Sequence, residues 1–522
     1  MPVNMTLKEK IGQMIIAGFP GPDISGEYKK LVEEYRISNT ILFSRNIENK
    51  KQLGDLCNQL QELIIAGTGY PAFIAVDQEG GMVTRLPGDA TNIPGAMAIA
   101  ATGDPENAYI AGNITGKELK ALGINVNMAP DMDINSNKEN PVIGVRSFGD
   151  TKELVTEYGI KMMKGLSAGQ VLPIIKHFPG HGDTAVDSHI GLPSIDKSME
   201  ELMSNEIVPF YEAVNNGAEA VMTSHILFPK LEKRNVPATM SQGIITGLLR
   251  QKLGFKGLVF SDCLEMDAIK KYYGTARGAI EAIKAGVDIV CVSHTADLAE
   301  ETARAIEAAA LSGELSMEII DRAVERILAY KEKYAGADTG SPDTSIVGCD
   351  SHMALSKRIR ESGITLVRGN GEGSGLPAIN SRTLFAGSYA NRSTMASSSI
   401  NKDFNFPEYM AGKFNGDYII IPADPTGADI DKVLSGAGDY DSVVYGTYNG
   451  HMNPGQIELA NRLCDANKNV IVVALRNPYD LGMVDKRACT VAAYEYSTLI
   501  FDVLADVFRG DVKPAGKLSV KV

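Results

Sequence analysis

The chain predicts an α/β protein in two parts, a (β/α)8 TIM-type barrel followed by a smaller αβα sandwich, and three observations carry that fold class. Eight short apolar runs recur at helix-length intervals through the first two-thirds of the 522 residues. A Gly/Ser/Pro/Asp-rich stretch then interrupts the pattern. Beyond it, a shorter series of apolar runs again alternates with helical segments.

The eight runs are 14–19, 40–44, 72–77, 126–134, 171–177, 220–225, 258–262 and 288–293. Each has the length of a buried strand and stops at polar or Gly-rich residues. Intervening stretches such as 198–215, 241–253 and 296–311 carry apolar residues at three- and four-residue spacing, as amphipathic helices do. Eight such units over about 335 residues fit a closed barrel. Four runs end in an ionisable residue, Asp77, His177, His225 and Asp262, and the carboxyl ends of barrel strands are where catalytic groups gather.

Residues 316–334 set Ile319, Ile320, Ala323, Ile327 and Leu328 on one stripe, the expected last helix of the barrel. From Ala335 to Ser345 almost nothing can be buried, which marks a surface linker. We therefore expect a barrel over residues 1–335, a linker over 336–348 and a sandwich over 349–522. In the last part the runs 365–367, 383–385, 418–422, 442–445, 470–475 and 490–493, with a helical segment at 456–467, predict a doubly wound unit. The segment Gly510-Asp511-Val512-Lys513-Pro514-Ala515-Gly516-Lys517 has one residue too many between its glycines for a phosphate-binding loop and lacks the hydroxyl after lysine. It reads as a turn.

Composition narrows the function. Hydrophobic residues make up 44% and charged residues 22%, a globular balance, and the net charge of −13 argues against nucleic acid as a partner. The six cysteines form no Cys-x-x-Cys pair and are expected to be reduced and structural. No run is long enough for a membrane span, and the first ten residues have no apolar core before their charges. The expectation is a cytoplasmic protein with no membrane partner.

The densest polar cluster is Lys176-His177-Phe178-Pro179-Gly180-His181-Gly182-Asp183-Thr184-Ala185-Val186-Asp187-Ser188-His189, directly after an apolar run. Its Pro and Gly residues make it a loop leaving a strand's carboxyl end. His177 and His181 do not read as a metal pair, because Phe178-Pro179-Gly180 cannot form the helical turn that presents two ligands. No metal and no cofactor are expected. Lys176 and His177 suit gripping the hydroxyls of a polar substrate. Asp187 and His189 lie two apart, so in an extended segment the carboxylate can hold the imidazole and favour its charged form, as a general acid requires.

Asp262 ends an apolar strand and is the candidate nucleophile. An aspartate on a barrel's active face, opposite an acid/base, is what a retaining glycosidase needs. Asp77, followed by two glycines and then Arg85, and Arg146 in a Gly-punctuated loop supply a carboxylate and two planar forks for sugar oxygens.

Together the motifs resemble glycoside hydrolase family 3, in its β-N-acetylglucosaminidase branch. The motifs that carry the likeness are Lys10-Ile11-Gly12-Gln13-Met14, Asp77-Gln78-Glu79-Gly80-Gly81, Asn140-Pro141-Val142-Ile143-Gly144-Val145-Arg146-Ser147-Phe148, the histidine loop and Ser261-Asp262-Cys263-Leu264-Glu265-Met266. The resemblance implies Asp262 as nucleophile, His189 as acid/base and Asp187 as its partner. It implies that Asp77, Arg85, Arg146, Lys176 and His177 bind the terminal sugar, an N-acetylglucosaminide such as a muropeptide sugar or a chitooligosaccharide. Met82 departs from the family's pattern, standing where many relatives carry a basic or polar residue.

The expected activity is removal of non-reducing β-linked N-acetylglucosamine with retention, in a setting such as peptidoglycan recycling. Two alternatives accompany it. With an imidazole as acid/base no carboxylate repels an incoming anion, so inorganic phosphate could serve as acceptor in a phosphorylase. A non-catalytic glycan-binding protein is the alternative of another class.

Overall fold

Each of the first eight runs forms a strand. They are Ile15–Ala17 (β1), Asn39–Leu42 (β2), Phe73–Val76 (β3), Val126–Asn127 (β4), Leu172–Phe178 (β5), Ala220–Thr223 (β6), Leu258–Cys263 (β7) and Ile289–Val292 (β8). All neighbours are parallel, and β1 pairs with β8, Ile16 opposite Cys291, so the sheet closes into a barrel with no free edge. The computed structural model describes residues 5–187, 191–336, 344–369, 375–390 and 404–522.

Helix boundaries follow local chemistry. Asn49 and Gly69, the latter in the left-handed region, bracket the helix Lys50–Thr68; Thr151 caps Lys152–Ala168. The stretch 198–215 is two helices, Met199–Ser204 and Val208–Asn215. Pro209 accounts for the break, since it has no N–H to give and is tolerated only in a first turn. The stretch 241–253 winds as a π-helix over Gly243–Lys252, which the apolar spacing alone does not distinguish from an α-helix.

Strand β4 is much shorter than its apolar run. Pro130 cannot donate to a ladder, so the chain leaves the sheet, and only an isolated bridge joins Asp131 to Lys176 beyond it. A long loop follows, and its short 3-10 turn, Gly144–Arg146, carries the second predicted arginine.

The second sheet contains Thr365–Arg368 (β9), Thr383–Gly387 (β10), Asp417–Ile420 (β11), Ser442–Thr447 (β12), Val470–Ala474 (β13) and Cys489–Ala492 (β14). Its order is β11-β10-β12-β13-β14-β9, parallel except for β9 at the edge. Alternate residues feed opposite faces, as a period of two requires. Val443 and Tyr445 pack with Ile430 and Leu463 of the helices Gly427–Ala437 and Pro454–Ala466, while Val444 packs with Phe406 and Phe501 of Phe406–Phe414 and Thr498–Arg509.

The first of these two cores is shared. Met97, Ala98 and Ala101 of the helix Ala96–Ala101, together with Val145, are buried in it although they belong to the barrel's stretch of chain. The far end of the linker also returns to the barrel. Val347 and Ile359 are part of the barrel's core, and the buried Glu118 carboxylate accepts from Thr91 N (2.9 Å), Gly348 N (3.1 Å) and His352 Nδ1 (2.7 Å). All six cysteines are free of disulfides, and no described helix is long and apolar enough to cross a membrane.

Candidate active site

The site starts from the loop after β3. Asn127 of β4 takes both backbone groups of Gln78, accepting from its N–H and donating to its carbonyl, each at 2.9 Å. Gln78 Oε1 in turn accepts from the N–H groups of Arg85 (2.7 Å) and Leu86 (3.1 Å), folding the loop back on itself. The turn passes through Gly80 and Gly81, both at positive φ, where a Cβ on Gly80 would collide with the carbonyl of Pro94. Asp77 and Glu79 are thereby held at the barrel's carboxyl end.

Strand β5 delivers Lys176 and His177, both buried. The pairing of β5 with β6 slips between Ile175 and Phe178, and that of β7 with β8 slips between Phe260 and Cys263. Such irregularities re-aim side chains beside active sites, and these two fall on Lys176-His177 and on Asp262. Lys176 Nζ reaches Asp77 Oδ1 at 2.9 Å and Glu79 Oε1 at 2.6 Å. Arg146 closes a fork on Glu79, Nε to Oε2 at 2.9 Å and Nη2 to Oε1 at 2.8 Å. Its Nη2 also lies 3.5 Å from Asp131 Oδ2 and 3.4 Å from His177 Nε2.

The partners assign the His177 hydrogen. Nδ1 faces the Asp133 carboxylate at 2.7 Å and therefore donates; Nε2 faces a guanidinium, a donor only, and presents its lone pair. Asp133 also accepts from His181 N at 2.6 Å. Four of the predicted sugar-binding residues, Asp77, Arg146, Lys176 and His177, are thus brought together, through three carboxylates that are not among the predicted site residues, Glu79, Asp131 and Asp133. Arg85 is buried on the β3 loop with its backbone held by Gln78.

Charge balance explains how so many ionic groups share one buried place. Burial opposes ionisation of Glu79, yet Arg146 and Lys176 hold its carboxyl well below the usual range. Burial also opposes the charges of Lys176 and Arg146, but the facing carboxylates raise both. Asp131 is pushed well up, by burial first and by Asp133 second, whereas Asp133 is held down against its burial by His177.

Asp131, Asp133 and His177 have ligating atoms within 4.8 Å of one another. This trio is not a persuasive metal centre. The His177 Nδ1 is committed to Asp133, and the Arg146 guanidinium already faces His177 Nε2 and Asp131 Oδ2 as the neutralising cation.

On the opposite side of the barrel, half-buried Asp262 stands one residue before the end of β7 and accepts from Cys263 N at 2.7 Å through Oδ1. The carbonyl of Cys263 accepts from His225 Nε2 at 3.0 Å, and His225 Nδ1 lies 2.9 Å from Thr239 Oγ1, itself 2.8 Å from Thr223 Oγ1. The Cys291 thiol on β8 is pushed well up by burial, with Cys263, Asp262 and Asp77 adding to it, so both carboxylates act on the same part of the barrel floor.

The histidine loop divides. His181 is buried, its Nδ1 2.9 Å from Thr184 Oγ1, and burial pushes it down to about 4. Asn140 donates to both the His181 carbonyl and Thr184 Oγ1, tying this loop to the one after β4. Asp183 pairs with Lys197 at 2.6 Å. Asp187 is buried, and its carbonyl accepts from Gly191 N at 3.0 Å. His189, the predicted acid/base, lies outside the described residues.

The family model for the glycosyl hydrolase family 3 N-terminal domain matches residues 6–330. A β-hexosaminidase A of Pseudoalteromonas piscicida is 35% identical over 409 residues, 71% of this chain and 68% of that protein. The solved structure of a glycoside hydrolase family 3 β-N-acetylglucosaminidase from Paenibacillus sp. str. FPU-7 superposes with a TM-score of 0.91 at 38% identity, covering 99% of both chains. A solved β-glucoside phosphorylase superposes at 0.83 over 99% of this chain and 95% of its own, but with 22% identity it bears on the fold alone.

Proposed function

The chain belongs to glycosyl hydrolase family 3 and is a glycoside hydrolase, and on that premise we propose that it removes β-linked N-acetylglucosamine from non-reducing ends with retention of configuration. The observation that carries this reading is the network of Asp77, Glu79, Arg146 and Lys176 at the carboxyl ends of the barrel strands, with Asp262 across the barrel. Relatives at 35% and 38% identity bear hexosaminidase and glucosaminidase names.

In this reading the terminal sugar meets the network at Asp77, whose side chain is 19% exposed against 3% for Lys176 and 7% for Glu79. Asp77 accepts from ring hydroxyls, while Lys176, Arg146 and Arg85 donate to sugar oxygens. A carboxylate oxygen of Asp262 attacks the anomeric carbon as the bond to the glycosidic oxygen breaks. His189, charged beside Asp187, gives that oxygen its proton. Neutral His189 then takes a proton from water, whose oxygen bonds to the anomeric carbon as Asp262 departs. The roles of His189 and Asp187 rest on the motif resemblance.

Water is the acceptor in this reading, supported by the relatives at 35% and 38% identity with hexosaminidase and glucosaminidase names. Product analysis on N-acetylglucosaminyl-anhydromuramic acid and on chitobiose, each with and without phosphate, tests acceptor and aglycone together. The nucleophile is tested by mass spectrometry after incubation with a slow 2-deoxy-2-fluoro glycoside. A covalent sugar on Asp262 is expected, and a label on any other residue overturns the assignment.

A further inference from the structure

The loop that carries Arg146 is held from the second part of the molecule. A short 3-10 turn, Pro478–Gly482, follows β13, and its Tyr479 is buried in the core beneath the second sheet. The Tyr479 hydroxyl accepts from Asn135 Nδ2 at 2.5 Å, and Asn135 Oδ1 accepts from Gly144 N at 3.1 Å. Gly144 opens the turn Gly144–Arg146, and just past its other end Ser147 Oγ donates to the Asp133 carbonyl at 2.6 Å. From that turn Arg146 closes its fork on Glu79. A continuous chain of bonds therefore runs from the second sheet to a guanidinium in the barrel.

Each link in this chain admits one arrangement. The Gly144 N–H can only donate, so the oxygen of the Asn135 amide faces it and the amide nitrogen faces Tyr479. Asn135 is itself buried, and a buried amide that loses one partner is costly to leave unmet. Gly144 lies at φ 48°, and a Cβ there would collide with the side chain of Asn477, the residue before the Pro478–Gly482 turn. The turn bearing Arg146 thus rests directly on the residues that follow β13. Another contact between the same two parts leads elsewhere. His451, beyond β12, meets the Tyr479 ring edge-on with centroids 5.4 Å apart, and its Nε2 donates to the carbonyl of exposed Lys138 at 3.1 Å, ahead of the turn.

We propose that Tyr479 is a positioning residue for the sugar site: through Asn135 and Gly144 it sets the aim of Arg146, so the second sheet shapes the site and does not merely support the barrel. The inference rests on the reading of Arg146 as a sugar ligand. The test is steady-state kinetics of the full chain on an aryl N-acetylglucosaminide, with calorimetric titration of free N-acetylglucosamine. Tyr479→Phe removes one hydroxyl and keeps the ring. KM is expected to rise about fivefold with kcat within about twofold of the parent, and affinity for the free sugar to fall by the same factor as KM rises. Asn135→Ser, which breaks both links, is expected to raise KM at least as much. His451→Phe lies at the same interface but off this chain of bonds, and is expected to keep the parental KM even if its Tm falls. Arg146→Lys is expected to raise KM by itself, and adding Tyr479→Phe to it to change nothing further, since both act on one group. The inference is overturned by a parental KM in folded Tyr479→Phe and Asn135→Ser, by an equal rise in His451→Phe, or by a full further rise on top of Arg146→Lys. A parental KM in folded Arg146→Lys overturns the sugar-ligand reading and the inference with it, whereas a raised KM there beside a parental Tyr479→Phe overturns the inference alone. Should Arg146→Lys fail to fold, the contrast between Tyr479→Phe and His451→Phe decides the matter.

Discussion

At the scale of single residues, the site depends on carboxylates that never need to touch the reacting bond. Glu79 separates two cations, Arg146 and Lys176, and is the only acid bonded to both among the contacts described. Glu79→Gln leaves those cations facing one another without their anion, and breaking such a buried arrangement costs about 3–5 kcal/mol. We expect kcat/KM to fall about a hundredfold or more, together with a lower melting temperature, read by steady-state kinetics and calorimetry. His225 acts through the backbone, because its Nε2 holds the carbonyl that follows Asp262. His225→Ala is expected to lower kcat about tenfold with little change in KM, and His225→Asn, which keeps a donor, to lose less. Equal losses in the two variants would show that the donor is not what matters.

At the scale of elements, the histidine loop is fastened to the loop after β4. A Cβ on Gly182 would run into the carbonyl oxygen of Ile134, and Asn140 bridges His181 and Thr184. Gly182→Ala therefore has to displace the segment leading to Asp187. We expect a lower kcat on substrates with poor leaving groups, which depend on a well-aimed acid, and a smaller loss on activated aryl glycosides. Equal losses on both would detach this loop from proton transfer. The same elements show what was legible beforehand. Asp77, Lys176, His177 and Asp262 stand at the ends of apolar runs, so strand periodicity pointed to them. Asp131 and Asp133 sit past Pro130, within a run that reads as one strand but leaves the sheet, and their pairing with His177 and Arg146 is made through space. Their alternate spacing at a strand end was the available signal. Glu79, two residues after Asp77, offered the same one. The π-helical winding of Gly243–Lys252 had no signal, since helices of different pitch share nearly the same apolar spacing.

At the scale of the molecule, stability carries a pH signature from the second part. Asp480 is buried, and burial pushes its carboxyl up to about 6 from 3.8, although it accepts from Gly450 N. The folded chain therefore holds this proton more tightly than the unfolded one. The stabilising contribution is complete below pH 3.8 and is lost as pH rises through about 6, a loss of about 3 kcal/mol. Asp480→Asn is expected to melt progressively higher than the parent as pH rises from 4 to 7, followed by scanning calorimetry. A difference independent of pH would show that Asp480 is not the group responsible. Whole-molecule architecture was only half legible. All fourteen strands among the described residues were foreseeable as apolar runs, but the order of the second sheet was not, because order is decided by which helices cross which face.

Val145 is buried in the core beneath the second sheet, while its neighbour Arg146 grips Glu79 in the network at the barrel's carboxyl end. One peptide bond therefore straddles two parts of the molecule that the linker divides along the sequence. A chimera cut at the linker would inherit its barrel and its sandwich from different parents, but the seam in space does not follow the seam in sequence. To keep its guanidinium aimed, such a hybrid would have to transplant the 142–147 loop along with the second sheet. Drift in the sandwich core is thus constrained by the chemistry of the barrel, and the two halves are expected to evolve as a matched pair.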